Sequence, residues 1–262
     1  MWRGRSKWAA LGAGLLIAAT AIPAVAVVIQ RDGLRISITA QLKPYKLPRT
    51  GSAPIDVFIA GHVAATDGTT PPQLRRLEVL LNRHGVLDTA GIPRCRLHQI
   101  SPSTYEEALR RCGRSLVGAG HFWASIVLPD QPSYKTTGRL LVFNGAEKGR
   151  PAVFAHIYTS IPFPASFVVP FAIRHVDRGP YGTLFSAALP KALGDWGFVD
   201  RIKMTLGRTA RRHGRVHSYI NAGCPAVKGA RTAVFPLARA EFSFAGGREV
   251  SLDIPRPCGV RE

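Results

Sequence analysis

The stretch Arg139-Leu140-Leu141-Val142-Phe143-Asn144-Gly145-Ala146-Glu147-Lys148-Gly149-Arg150-Pro151-Ala152-Val153-Phe154-Ala155-His156-Ile157-Tyr158 decides the fold class. Two apolar, strand-length runs, Arg139 to Phe143 and Ala152 to Tyr158, are separated by the turn formers Asn144-Gly145 and Gly149. That is a hairpin signal, although the loop exceeds two residues. Downstream the same texture recurs at Phe167 to Ile173, Thr183 to Leu189, Phe198 to Leu206, Arg215 to Ile220, Glu241 to Phe244 and Glu249 to Ile254, with Gly246-Gly247 as the turn between the last two. Pro170 makes its run an edge strand or marks a bulge, because proline cannot donate to a ladder.

Upstream, Phe122 to Leu128 and Ile55 to Ile59 read as strands, and Leu34-Arg35-Ile36-Ser37-Ile38-Thr39 alternates with the period of a half-buried one. Residues 41–54, rich in Pro and Lys, read as a linker or loop. Gln73 to Asp88 is ambiguous: Leu74, Leu77 and Leu81 fit a helical face. Leu77, Val79 and Leu81 also alternate, with Asn82 to Gly85 as a turn before Val86-Leu87, and strands are favoured. Ser103-Thr104-Tyr105-Glu106 has capping-box spacing and predicts a helix from Ser103 as N-cap to Arg111 or Cys112.

A dozen short strands, one helix near 103–112 and no recurrent helical crossovers predict a mainly β protein, an antiparallel β-sandwich or barrel-like domain. Pro129-Asp130-Gln131-Pro132 interrupts the pattern and permits a split there, but a single domain over 55–262 is preferred.

The N-terminus carries an address. Arg3, Arg5 and Lys7 precede an uncharged run from Trp8 to Ile29, and Ala24-Val25-Ala26 supplies the small residues of a cleavage site. Residues 1–26 therefore read as a signal peptide, which makes the protein secreted or part of the cell envelope. The alternative is an uncleaved anchor, since the run is long enough for a single transmembrane helix; Pro23 and the glycines Gly12 and Gly14 argue against it. Residues 27–54 then form an N-terminal strand and the linker.

Cys95, Cys112, Cys224 and Cys258 all follow the export signal, and an even number in an oxidising compartment predicts two disulfides. Three connectivities are possible; proximity favours Cys95–Cys112 and Cys224–Cys258. Zinc is disfavoured because no cysteines stand at short paired spacing.

Lys and Arg number 35 against 16 Asp and Glu, a formal charge of +19. Such a surface suits an anionic cell-wall polymer or lipid headgroups; export disfavours nucleic acid. The scarcity of acids leaves little for a carboxylate-built site. G-x-S-x-G, H-E-x-x-H and P-loop motifs are absent, and Gly118-Ala119-Gly120 lacks a third fingerprint glycine. Leu47-Pro48-Arg49-Thr50-Gly51 matches a sortase pentapeptide but stands near the start of the mature chain, not before a C-terminal apolar tail, and reads as coincidence. His213 and His217 would share a metal only on a helix, which Gly214 opposes; neither metal nor cofactor is expected.

His156, in an apolar strand, is the best candidate acid/base group, with Asp56, Asp195 or Asp200 as partner and Ser160, Ser166 or Ser186 as nucleophile by residue type alone. The bland alternative is a hydrogen-bonded core histidine. The aromatics from Phe143 to Phe185, including Phe154, Tyr158, Phe163, Phe167, Phe171 and Tyr181, are expected in the core; facing outward beside cations they would form a sugar- or lipid-binding platform.

Asn82-Arg83-x-Gly85-x-Leu87-Asp88, Cys95, Cys112 with Leu116-Val117-Gly118, Asn221-Ala222-Gly223-Cys224-Pro225 and Phe235-Pro236-Leu237-Ala238-Arg239-Ala240-x-Phe242 together resemble a family of exported bacterial proteins with no established activity. The resemblance implies export and a domain from about residue 30 onward, and no site. The expectation is a non-enzymatic binding or structural β-domain acting through a basic surface; the alternative is a secreted hydrolase with a site assembled around His156.

Overall fold

The structure, a computed structural model, describes residues 26–127, 130, 132–161, 163–189 and 197–261. The signal segment proposed for residues 1–26 lies almost entirely outside the described residues.

Thirteen strands form one large curled sheet. In chain order they are β1 (Ala26–Arg31), β2 (Leu34–Lys43), β3 (Lys46–Pro48), β5 (Asp56–Ala65), β6 (Leu74–Asn82), β8 (Leu116–Ile126), β9 (Tyr134–Glu147), β10 (Arg150–Thr159), β11 (Ala165–Arg178), β12 (Tyr181–Ala188), β13 (Gly197–Leu206), β17 (Thr232–Phe244) and β18 (Glu249–Arg261). Their spatial order is β1-β2-β5-β13-β8-β9-β10-β11-β12-β6-β17-β18-β3, antiparallel throughout except for β18–β3. A three-stranded sheet of β4 (Ala53–Pro54), β16 (Ile220–Ala222) and β7 (Gly85–Leu87), and a hairpin of β14 (Thr209–Arg212) and β15 (Arg215–Ser218), complete the strands among the described residues.

The curl has a covalent cause. β2 and β3 are separated only by Pro44 and Tyr45, yet β3 pairs at the far end of the strand order, Lys46 opposite Gly259. The two ends of the sheet must therefore meet. Leu34, Ile36 and Ile38 of β2 pack on Phe242 of β17 and on Val250, Leu252 and Ile254 of β18. Buried Arg256 clasps the seam, its Nε donating to the carbonyl of Ala40 at 2.5 Å. Barrel-like is thus the right half of the expected pair. The expected linker at 41–54 is a correction: it supplies β3 and β4, and Leu47 is fully buried. Two- and three-residue strands are too short to show a period.

The opening hairpin forms with a tighter turn than expected. Glu147 pairs with Arg150, so the loop is only Lys148-Gly149, both at positive φ, and Asn144-Gly145 lies within β9. Asn144 is buried there for another purpose: its side-chain amide donates to the carbonyls of Ile92 and Pro93, and its own carbonyl accepts from Cys95. A Cβ on Gly145 would stand 2.4 Å from the Phe154 ring. This pair therefore docks the segment that leads into the helical excursion between β7 and β8.

Residues 74–87 are strands, as favoured. β11 is an interior strand, but its ladder with β12 begins at Ala172, so Pro170 lies where β11 is paired on one side only among the described residues. β8 pairs with β9 as far as Ile126 opposite Tyr134, and the sheet runs through the interruption near residues 129–132.

Between β7 and β8 the chain leaves the sheet to form α1 (Leu97–Ile100) and α2 (Tyr105–Cys112), with a 3-10 turn at Gly113–Ser115. The N-cap of α2 is Thr104, not Ser103: Thr104 accepts from the Glu107 backbone, and Glu107 returns the bond to Thr104. Ser103 is occupied elsewhere, as described below. Ile100, Ala108, Phe143 and Phe154 make a small core between these helices and the outside of the sheet. Cys95 bonds Cys112 and Cys224 bonds Cys258, the pairings that proximity favours. Such bonds belong to an oxidising environment outside the cytoplasm. Among the described residues no helix is long and apolar enough to cross a membrane.

Candidate functional site

His156 projects from β10 toward the helical excursion and is fully buried. Its Nε2 lies 3.1 Å from both the carbonyl and the hydroxyl of Ser103 and 3.4 Å from the Ser166 hydroxyl. A carbonyl can only accept, so Nε2 carries the proton; the Ser103 hydroxyl spends its own proton on the Ile100 carbonyl at 2.8 Å. An Nε2 that already bears hydrogen cannot take one from Ser166. Burial holds the imidazole below its ordinary pKa, and the Ser103 carbonyl opposes this in part.

Among the described residues no carboxylate bonds His156. Asp200 accepts from Ser125 at 3.1 Å, and Asp56 stands opposite Lys43 at the far end of β5. Asp195 lies outside the described residues. Of the candidate nucleophiles only Ser166 comes near; Ser160 is exposed, and Ser186 accepts from Arg174. The arrangement supplies a neutral hydrogen-bonded clamp that pins the bend between α1 and α2 to β10.

His213 sits in a β-turn at positive φ, while the Nδ1 of His217 is 2.8 Å from Asp88. No group of three or more His, Cys, Asp or Glu suited to a metal occurs among the described residues. In the pentapeptide 47–51, Leu47 is core, and Arg49 donates to the carbonyls of Ala226, Val227 and Ala230. A protease would have to unfold the seam to reach it. Phe143 and Phe154 are fully buried and Tyr181 nearly so; Phe163 is exposed.

The chemically distinctive surface lies on the outside of β5, β13, β8 and β9. Register places Arg201 between His62 and Trp123, and Lys203 opposite His121, which in turn faces Arg139. Neighbours in this grid are spaced about 5–7 Å, the strand separation and the two-residue rise. Arg201 and Lys203 each hold a cation 5.8 Å from the Trp123 ring centroid, and Arg139 stands 5.4 Å from that of Tyr105. A hollow of about 360 Å³ opens among Lys203, His121, Arg139, Tyr105 and Phe58. Gly120 lies beside it, and a Cβ there would stand 2.0 Å from the Lys203 carbonyl, so β8 approaches β13 this closely only with glycine at that position. None of the outward positions from 201 to 205, 119 to 123 or 137 to 141 is acidic.

No protein-family model, curated protein or solved structure matches the chain. The platform escaped sequence reading because Arg201 and Lys203 of β13 meet His121 of β8 and Arg139 of β9 only through pairing between segments about eighty positions apart in the chain. The alternations Arg201-x-Lys203 and His121-x-Trp123 are its trace, each placing both residues on one face.

Proposed function

We infer that the protein is a non-enzymatic binding domain acting outside the cytoplasm, and that the outer face of β13, β8 and β9 engages an anionic cell-envelope polymer. The observation that carries this reading is the grid of Arg201, Lys203, His121 and Arg139 around Trp123 and Tyr105, whose neighbouring carboxylate, Asp200, is engaged by Ser125 and Lys135. Cations at strand spacing meet successive charges of a flexible chain, while the aromatic faces hold the cations in place and offer apolar contact. A curved outer face suits a polymer that can follow it; a flat bilayer would touch it along a line. An exported segment at residues 1–26 would deliver the domain to such a ligand.

Retention on an immobilised polyphosphate column tests this. The protein should bind at low ionic strength and elute as salt shortens the Debye length below the ~8 Å found at physiological strength. Arg201→Gln/Lys203→Gln should elute distinctly earlier than Arg248→Gln/Arg261→Gln, which removes equal charge elsewhere. Equal elution of the two variants overturns the site. Stronger capture by phosphatidylglycerol vesicles than by the polymer assigns the face to headgroups and overturns the polymer reading.

A further inference from the structure

A second concentration of positive charge lies at the other end of α2 and is independent of the face just described. Arg94, Arg110, Arg111 and Arg114 line a hollow of about 380 Å³ beside the Cys95–Cys112 bond, with Gln99 on its wall. Two of these arginines directly precede the bonded cysteines, so the disulfide, with its Cα atoms 5.5 Å apart, draws the Arg94 and Arg111 segments together. Arg110 and Arg111 come from the last turn of the helix and Arg114 from the 3-10 turn after it.

Cations near a helix C-terminus ordinarily answer the partial negative charge of its last carbonyls. A fifth arginine serves the turn beyond the helix: Arg208 Nη1 reaches in from beyond β13 and donates to the carbonyls of Gly113 at 3.2 Å and Leu116 at 2.9 Å. Of the four lining the hollow, Arg111 is partly engaged, donating to the Gln99 carbonyl at 3.2 Å and standing 4.0 Å from Glu107. Glu107 is itself committed to the N-cap, accepting from the Thr104 backbone at 2.9 Å. Arg94 and Arg114 form no ion pair among the described residues, and Arg110 acts on Glu107 only from beyond contact distance. Like charges held together by a covalent bond repel unless an anion sits among them.

We propose that this hollow is a phosphate-binding site: it takes a phosphate monoester or diester group, held by the guanidinium groups of Arg94, Arg110 and Arg114. Guanidinium presents planar pairs of N–H donors that match phosphate oxygens two at a time, which a lysine cluster does not. Arg111, braced by Gln99 and Glu107, forms the fixed wall. The site reads one anionic group, whereas the sheet face reads a run of them, so failure of either leaves the other standing.

Inorganic pyrophosphate is the probe, titrated calorimetrically into the disulfide-intact protein at low ionic strength. One site per chain is expected, together with a rise in Tm as the ligand is added. Arg94→Gln/Arg114→Gln should weaken binding at least tenfold and abolish the Tm rise, while Arg201→Gln/Lys203→Gln leaves the pyrophosphate affinity within twofold. All four positions are exposed, and near-UV circular dichroism establishes that each variant is folded. At about pH 8, where inorganic phosphate and sulfate are both close to divalent, phosphate should bind more tightly than sulfate; equal binding of the two reduces the site to a non-selective cationic patch and overturns the phosphate assignment. No pyrophosphate binding, or binding unaffected by Arg94→Gln/Arg114→Gln, overturns the site itself. Capture of phosphatidylglycerol vesicles through the same arginines places the phosphate on a lipid; binding of soluble glycerol phosphate without vesicle capture places it on a free chain or metabolite.

Discussion

His156→Gln should flatten the acid limb of the stability profile. The imidazole is fully buried, and desolvation holds its pKa below 6.5 in the folded protein, whereas in the unfolded chain it titrates near the ordinary value. Below pH 6.5 the unfolded state therefore binds a proton that the folded state refuses. Stability from this group is complete above 6.5 and falls as the pH drops, at about 1.4 kcal/mol per pH unit, until the folded-state value is reached. Between pH 7.5 and pH 5.5 the loss from one such proton has a ceiling of about 1.4 kcal/mol, reached when the folded state takes up none of it, and most of it falls below 6.5. Glutamine retains an N–H for the Ser103 carbonyl and has no proton to gain. Urea unfolding at a series of pH values, with disulfides intact, measures the difference; the other titrating groups cancel between protein and variant. Parallel profiles for the two would mean that His156 is charged or solvated in the folded state, and the clamp described above would be wrong.

Thr104→Ala should cost about 1 kcal/mol by removing the cap of α2, read as a lower urea midpoint and lost helical signal. Ser103→Ala should cost about 1–3 kcal/mol through the buried contacts it abandons at Ile100 and His156, without loss of helical signal; the reverse ranking of helical loss would restore Ser103 as the cap. Phe154→Ala, at a fully buried position under the helices, should lower stability by about 3–5 kcal/mol in the same assay. Cys224→Ser/Cys258→Ser, opening a link between residues 34 apart, should cost about 2–5 kcal/mol, and a Tm unchanged in that variant would show the bond to be idle.

Much of the strand content was legible because alternation is a local signal: Leu34 to Thr39, Leu77 to Leu81 and Glu249 to Ile254 all lie in strands, and nearest-cysteine pairing gave both disulfides. Turn formers were less trustworthy. Asn144-Gly145 carries a hairpin signature yet lies inside a strand, because tertiary contacts with Ile92, Pro93 and Phe154 need an amide and a missing Cβ there. The one-residue shift of the helix cap has the same origin: Ser103 and Thr104 are equivalent by type, and only the buried His156 separates them. α1 was invisible, a single turn being too short for a period. The basic surface could be counted but not mapped, since Arg201, His121 and Arg139 meet only through register.

The bridge from β2 to β3 bears on how the molecule can be made. The partner of Lys46 is Gly259, more than two hundred positions further along, and ten strands of the large sheet separate β3 from β2 in spatial order although only two residues join them in the chain. A chain that emerges amino end first can zip its local hairpins early, but it cannot shut the ring until β18 arrives. Until then Leu47 and the apolar side of β2 wait uncovered, prone to self-association, which slow formation of distant contacts aggravates. A protein closed by so late a stitch gains from an escort during synthesis, and shortening its last strand should harm yield more than deleting the exposed β14–β15 hairpin.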